Sequence, residues 1–252
     1  DWAMTLPLLR WSWTGQAETN ATARLTEFRP ADHETVLEMM AGRYLLAARL
    51  VDTGGISPFS VEDEQDEWRH ELMSFSWLRH FADTRDIGER RFARTLTLDW
   101  IGRYGRYSAD CWAPGITAQR IMNWLRHLAL LTEQASTEER KQILGTLGTQ
   151  IEALNARAPF AADPADRLLG AIALTGAAIC LDSEARHLDR RLSRLETLLH
   201  DQVDTDGLHR SRNLHVQPDV MTDLISIRQA LGASAAGQSV CCQSPTGAHR
   251  AG

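Results

Sequence analysis

The chain has 252 residues, 43% of them hydrophobic and 24% charged, the proportions of one or two soluble domains with a real core. A formal net charge of −6 disfavours a sequence-independent grip on nucleic acid phosphate, so nucleic acid is not an expected partner. No apolar run approaches the roughly 20 residues that cross a bilayer, so no membrane span is expected. All but Lys141 of the 27 basic residues are arginine, a side chain that grips planar carboxylates through paired hydrogen bonds, although most such arginines lie on solvated helix faces. Cys111 and Cys180 stand far apart and Cys241-Cys242 are adjacent, without metal-ligand spacing. Neither a metal nor another cofactor is expected.

The start, Asp1-Trp2-Ala3-Met4, carries none of the marks of a signal peptide and no initiator methionine, as expected of a cut-out or mature piece. The start leaves the compartment open. Residues 1–31 hold Pro7, Pro30 and no long periodicity, and read as an irregular lead-in. Asp32 is placed to cap a helix with Val36, Leu37, Met40, Tyr44, Leu45 and Ala48 on one stripe, ended by Gly54-Gly55 and Pro58. Further helices are expected at about 64–82, 86–103, 116–133, 136–158, 164–181, 184–203 and 217–231. Pro114-Gly115, Pro159, Pro164 and Asp206-Gly207 mark the turns. Short connections favour antiparallel neighbours, so residues 32–231 are expected to form one all-α domain of stacked helical hairpins. The tail 232–252, rich in Ala, Gly, Ser and Gln without an apolar period, is expected to be disordered or non-native.

Trp68, Trp77, Trp100, Trp112 and Trp124 each fall on or beside a helix-period stretch. Tryptophan offers a broad apolar face and one N–H donor, which suits a packed helical core or a groove that stacks sugar rings. Two segments concentrate polar chemistry. In Trp112 to Leu125 a proline turn starts a helix on which Arg120 and Trp124 share a face, with Thr117 and Asn123 beside it. In Asp206 to Asn213, His209, Arg210, Arg212 and Asn213 offer an imidazole, two guanidinium groups and an amide at a helix entrance, a set suited to a carboxylate. The plainer use of that second segment is capping, since Ser211 or Asn213 can satisfy free helix N–H groups. The two segments are expected on one concave surface, with Trp77, Trp112, Arg120, Asn123 and Trp124 contacting substrate. Asp163 and Asp166 read first as caps around Pro164. Asp99, Asp206 and Glu71 are too scattered to nominate the carboxylate pair of a glycosidase.

Leu37 through Gly42-Arg43-Tyr44, Gly54 through Phe59, Trp68 with Phe75 to His80, Asp99-Trp100-Ile101, the Trp112 to Leu125 segment, Asp206-Gly207 through Arg212-Asn213, Asp223-Leu224 and Arg228 follow one another in a telling order. Across roughly residues 30–231 the chain resembles the α-helical domain of the heparinase II/III-like polysaccharide lyases, a bacterial subgroup of them in particular. The resemblance implies an incomplete α/α toroid, a following antiparallel β-sandwich that this chain lacks, and β-elimination on an acidic, uronate-containing polysaccharide. It assigns His209, Arg212 and Asn213 to catalysis. It also exposes departures: Val216 stands where relatives have a tyrosine acid, and Asp166-Arg167 where they have an Asn-His pair at a helix start. The expectation is a lyase domain incomplete as this fragment. A non-catalytic carbohydrate-binding or scaffold toroid is the alternative, and a glycoside hydrolase on an α/α toroid the third reading.

Overall fold

The computed structural model describes residues 23–61, 66–106, 111–203 and 216–241. Residues 23–31 run without helix or strand until Asp32 caps α1 (His33–Met40), its carboxylate accepting from the Glu34 amide at 3.1 Å and the Thr35 hydroxyl at 2.6 Å. The expected first helix stops well short of Ala48. Gly42 turns the chain at φ 86°, and β1 (Arg43–Leu46) and β2 (Arg49–Asp52) form an antiparallel hairpin pairing Leu45 with Leu50. Tyr44 and Leu46 point inward at strand period, and the Trp68 indole donates to the Tyr44 carbonyl at 3.3 Å. The same apolar letters fit a helix stripe; the left-handed glycine in front of them selects the strand.

α2 (Asp66–Ser74) also ends earlier than its periodicity suggests, because Phe75 takes a left-handed φ of 61° before a 3-10 turn at Ser76–Phe81. That conformation costs a non-glycine residue about 1–2 kcal/mol. Phe75 offsets it with ring contacts to Trp77, Trp124, Trp100 and Phe59 at centroid distances of 5.1, 5.4, 5.6 and 6.1 Å. α3 (Ile87–Tyr104) starts at the Asp86 cap, and α4 (Pro114–Arg126) is separated from the short α5 (Leu128–Thr132) by His127. α6 (Thr137–Arg157) opens on a reciprocal capping box of Ser136 and Glu139, and α7 (Pro164–Cys180) on Asp163. α8 (Leu188–Gln202) and α9 (Val216–Cys241) follow, the latter running past Leu231.

α4 and α7 lie side by side in the same sense. Gly115 at the start of α4 faces Asp166 at the start of α7, and Gly176 late in α7 faces Met122 and Leu125 late in α4. α6 runs the opposite way, with Gln150 against Arg120 and Arg157 donating to the Trp112 carbonyl at the start of α4. This alternation makes an all-α, incomplete α/α toroid of antiparallel hairpins. At the far end the lead-in and α9 close over α4: Arg126 pairs with Asp223, and the Ser226 hydroxyl donates to the Thr26 carbonyl at 2.8 Å. No helix among the described residues is long and apolar enough to cross a membrane.

Candidate functional site

The five residues expected to contact substrate lie in the interior. Trp77, Trp112, Arg120, Asn123 and Trp124 are at most 3% exposed, and a sugar ring cannot stack on faces that protein already covers. Trp77 and Trp112 direct their indole N–H groups to the Leu72 and Tyr104 carbonyls at 3.2 and 2.8 Å. Trp100 and Trp124 meet edge to face at 5.8 Å. Asn123 donates to the Ser74 carbonyl at 2.8 Å and accepts from Arg29 at 2.7 Å. The tryptophan cadence therefore marks a packed core, and the expectation of a tryptophan-lined groove is corrected on that ground.

Arg120 explains why a guanidinium can be buried there. Its Nε donates to Gln150 at 2.6 Å, Nη1 to the Met73 and Cys111 carbonyls at 2.9 and 3.0 Å, and Nη2 to Thr117 at 3.3 Å. The group also lies 4.3 Å from the centre of the Trp100 ring, a cation–π contact. Burial brings its pKa down to about 9, so it remains charged at neutral pH. Its bonds tie α2, the turn before α4, and α6 together, which fixes where α4 begins.

That beginning is the chemically distinctive surface. Ala113 supplies no side-chain cap, so the first-turn amides of α4 depend on a neighbour. Asp166, on the first turn of α7, accepts from the Gly115 amide. A Cβ at Gly115 would stand 2.3 Å from the Asp166 carboxylate, so only glycine allows this approach. Burial raises the Asp166 pKa above the usual carboxylate range, the charge of Asp163 adds to the rise, and the Gly115 amide and His70 oppose it. His70 on α2 is exposed and bonds Gln119 on α4, its Nε2 lying 2.7 Å from the amide oxygen. Three helices thus bring an exposed imidazole, a side-chain amide and a carboxyl of raised pKa to one end of the molecule. His70 and Gln119 escaped sequence reading because no spacing links them, and Gly115 was expected only as part of a turn. Asp166 was read as a cap; it caps α4 across the helix pair, while Asp163 caps α7 through the Ala165 amide at 2.8 Å.

The opposite end holds an ionic junction. Arg29 clasps Glu27 at 2.6 Å, the Arg126–Asp223 pair is buried beside it, and His127 donates from Nδ1 to the Asn123 carbonyl at 2.8 Å. Burial tends to raise the Glu27 pKa, but the Arg29 hydrogen bond and the charges of Arg29 and Arg126 hold it at about 2. Burial pushes His127 down to about 4. Of the scattered carboxylates, Asp99 binds Ser57 and Arg103, and Glu71 accepts from the Ala47 amide at 2.8 Å, so both hold local structure. An open groove of about 620 Å³ along α8 is lined by Leu192, Leu195, Leu199 and Val203 together with Ser193, Glu196 and His200, all supplied by one helix and its C-cap. His209, Arg212, Asn213 and Asp206 lie outside the described residues, and Val216 is the first residue of α9.

No family model matches the chain. FtsZ-localized protein C of Caulobacter vibrioides is 26% identical over 219 residues, which cover 84% of this chain and 36% of that protein. The crystal structure of a heparan sulfate lyase HepC mutant from Pedobacter heparinus superposes with a TM-score of 0.57 at 16% identity, covering 81% of this chain and 39% of the lyase. The chain therefore spans less than two-fifths of either protein. At that level of identity the likeness concerns the fold, which is distantly that of a polysaccharide lyase.

Proposed function

We propose that this chain is the helical portion of a heparinase II/III-like protein that holds an anionic, uronate-containing polysaccharide across the end where α4 and α7 begin. The reading is carried by the meeting of Asp166 with Gly115 beside His70 and Gln119, and the lyase-like fold supports it. β-Elimination needs a base for the proton α to the uronate carboxylate, a donor to stabilise the charge that develops there, and an acid for the leaving oxygen. In this proposal His209 supplies the imidazole, and Arg212 and Asn213 bind the substrate carboxylate. Trp112, Arg120 and Asn123 act as positioning residues by fixing the start and face of α4, with Trp77 and Trp124 packed beneath them. Asp166 in place of an asparagine and Val216 in place of a tyrosine weaken the chemistry. General acid–base terms are worth typically about 10²–10⁴-fold each, so this chain alone binds such glycans weakly and cleaves them little.

The test is incubation with heparan sulfate, alginate and hyaluronan while the ultraviolet absorbance of the unsaturated uronate product is followed. Little or no rise is expected. Robust turnover that survives Arg212→Ala and Asn213→Ala would show both the inactivity and the assigned residues to be wrong. A second reading, a non-catalytic scaffold toroid, draws support from the relative whose name records localisation with FtsZ. That reading requires no glycan binding, and co-sedimentation of the chain with FtsZ polymers.

A further inference from the structure

The most exposed large apolar side chain among the described residues is Phe160, 86% accessible, in the 3-10 turn Ala158–Phe160 between α6 and α7. Single water-exposed apolar side chains are ordinary on protein surfaces, and what sets Phe160 apart is the fixed turn that carries it. This turn is held on both sides of the ring. Ala158 and Ala161 are buried, and Ala158 packs against Gly170, where an added Cβ would come within 2.5 Å. The Ala161 amide closes the turn on the Ala158 carbonyl at 3.2 Å, Arg167 donates to the Ala161 carbonyl at 2.7 Å, and Arg157 donates to the Trp112 carbonyl. Pro159 restricts the backbone further. The ring contributes nothing to the core, yet its backbone is anchored to α7 and to the turn that opens α4. It lies three residues before the Asp163 cap and six before Asp166, on the end of the molecule where His70 and Gln119 meet.

We propose that Phe160 is a stacking platform for a pyranose ring and marks a sugar subsite beside the α4 and α7 starts. An aromatic face matches the apolar C–H face of a sugar, while Asp166, His70 and Gln119 supply hydrogen-bonding groups of the kind sugar hydroxyls and carboxylates require. A rigid platform also avoids much of the ordering cost of binding. The occupant is one sugar of the polysaccharide proposed above, so the inference rests on that reading.

The experiment measures the affinity of the whole chain for heparan sulfate, alginate and hyaluronan oligosaccharides, by calorimetric titration, for the wild type, Phe160→Ala and Phe160→Trp. Thermal unfolding of each is recorded alongside. Because the ring is exposed, all three should melt together. Affinity should fall about tenfold in Phe160→Ala and stay near the wild-type value in Phe160→Trp. A wild type that binds, with Phe160→Ala binding equally well, overturns the platform and leaves the glycan reading standing. A wild type that binds none of the three probes overturns both.

Discussion

At the scale of single residues, Asp166 decides how the proposed site meets its ligand. A uronate carboxylate placed against an ionised aspartate is repelled, whereas a carboxyl that keeps its proton donates a hydrogen bond. Because burial and Asp163 raise its pKa, Asp166 gains its proton sooner than an ordinary aspartate as the solution is acidified. Uronate binding by the wild type should therefore tighten as pH falls through the carboxylate range. Asp166→Asn should bind several-fold more tightly at neutral pH and lose this pH dependence, since one removed like-charge contact is worth about 1 kcal/mol in a partly solvated setting. Titration of both proteins at neutral and acidic pH checks it; equal affinities throughout would place the ligand elsewhere. Why these residues were hard to read is physical. Trp124, Arg120 and Asn123 have the same composition whether they line a groove or fill a core, and only the packing of α2 and α6 onto α4 settles which. Phe160 left a faint trace in the sequence, a lone aromatic after proline with no helical partner.

At the scale of elements, the caps were legible and the reversals were not. Asp32 and Asp163 sit directly before the stripes of α1 and α7, and those two helices start where the residues indicate. The hairpin escaped because its turn is unconventional. Ala47 and Ala48 take φ of 48° and 59°, the positions where Asn-Gly is normally found in a two-residue hairpin loop. Installing that pair, Ala47→Asn with Ala48→Gly, should stabilise the protein by about 1–2 kcal/mol in chemical denaturation by relieving two left-handed alanines. A loss of stability would show that the alanine methyls are needed where they are. The junction of the lead-in, α4 and α9 has a pH signature of its own. His127 in the fold has a pKa of about 4 against an ordinary 6.5, so between those values the unfolded chain binds a proton that the native one refuses. Its stabilising contribution is complete above pH 6.5 and declines by roughly 3 kcal/mol as pH falls to about 4. Glu27, held at about 2, adds a further loss only below its ordinary value of 4.5. Stability profiles of the wild type and His127→Asn should diverge in slope between pH 6.5 and 4, with His80, also pushed down to about 4 by burial, leaving a residual slope in the variant. Parallel profiles would show that the imidazole is solvated.

At the scale of the whole molecule, the toroid's alternation of helix direction sets two ends apart. One gathers the starts of α4 and α7 with Asp166, His70, Gln119 and Phe160; the other is sealed by Arg126, Asp223 and the lead-in. The all-α architecture could be read from helical periods and short turns, because each amphipathic stripe has to be buried by a neighbour. Which end to assign to a ligand could not, since the proposed assignment depends on contacts between residues as distant in sequence as Gly115 and Asp166. The most direct test of that assignment is hydrogen–deuterium exchange of the backbone amides with and without saturating uronate oligosaccharide. The account predicts slowed exchange in the 111–120 and 158–167 segments and none along the 43–52 hairpin or α8. Protection confined to the hairpin or α8, or no protection anywhere under conditions where binding is measurable, would contradict it.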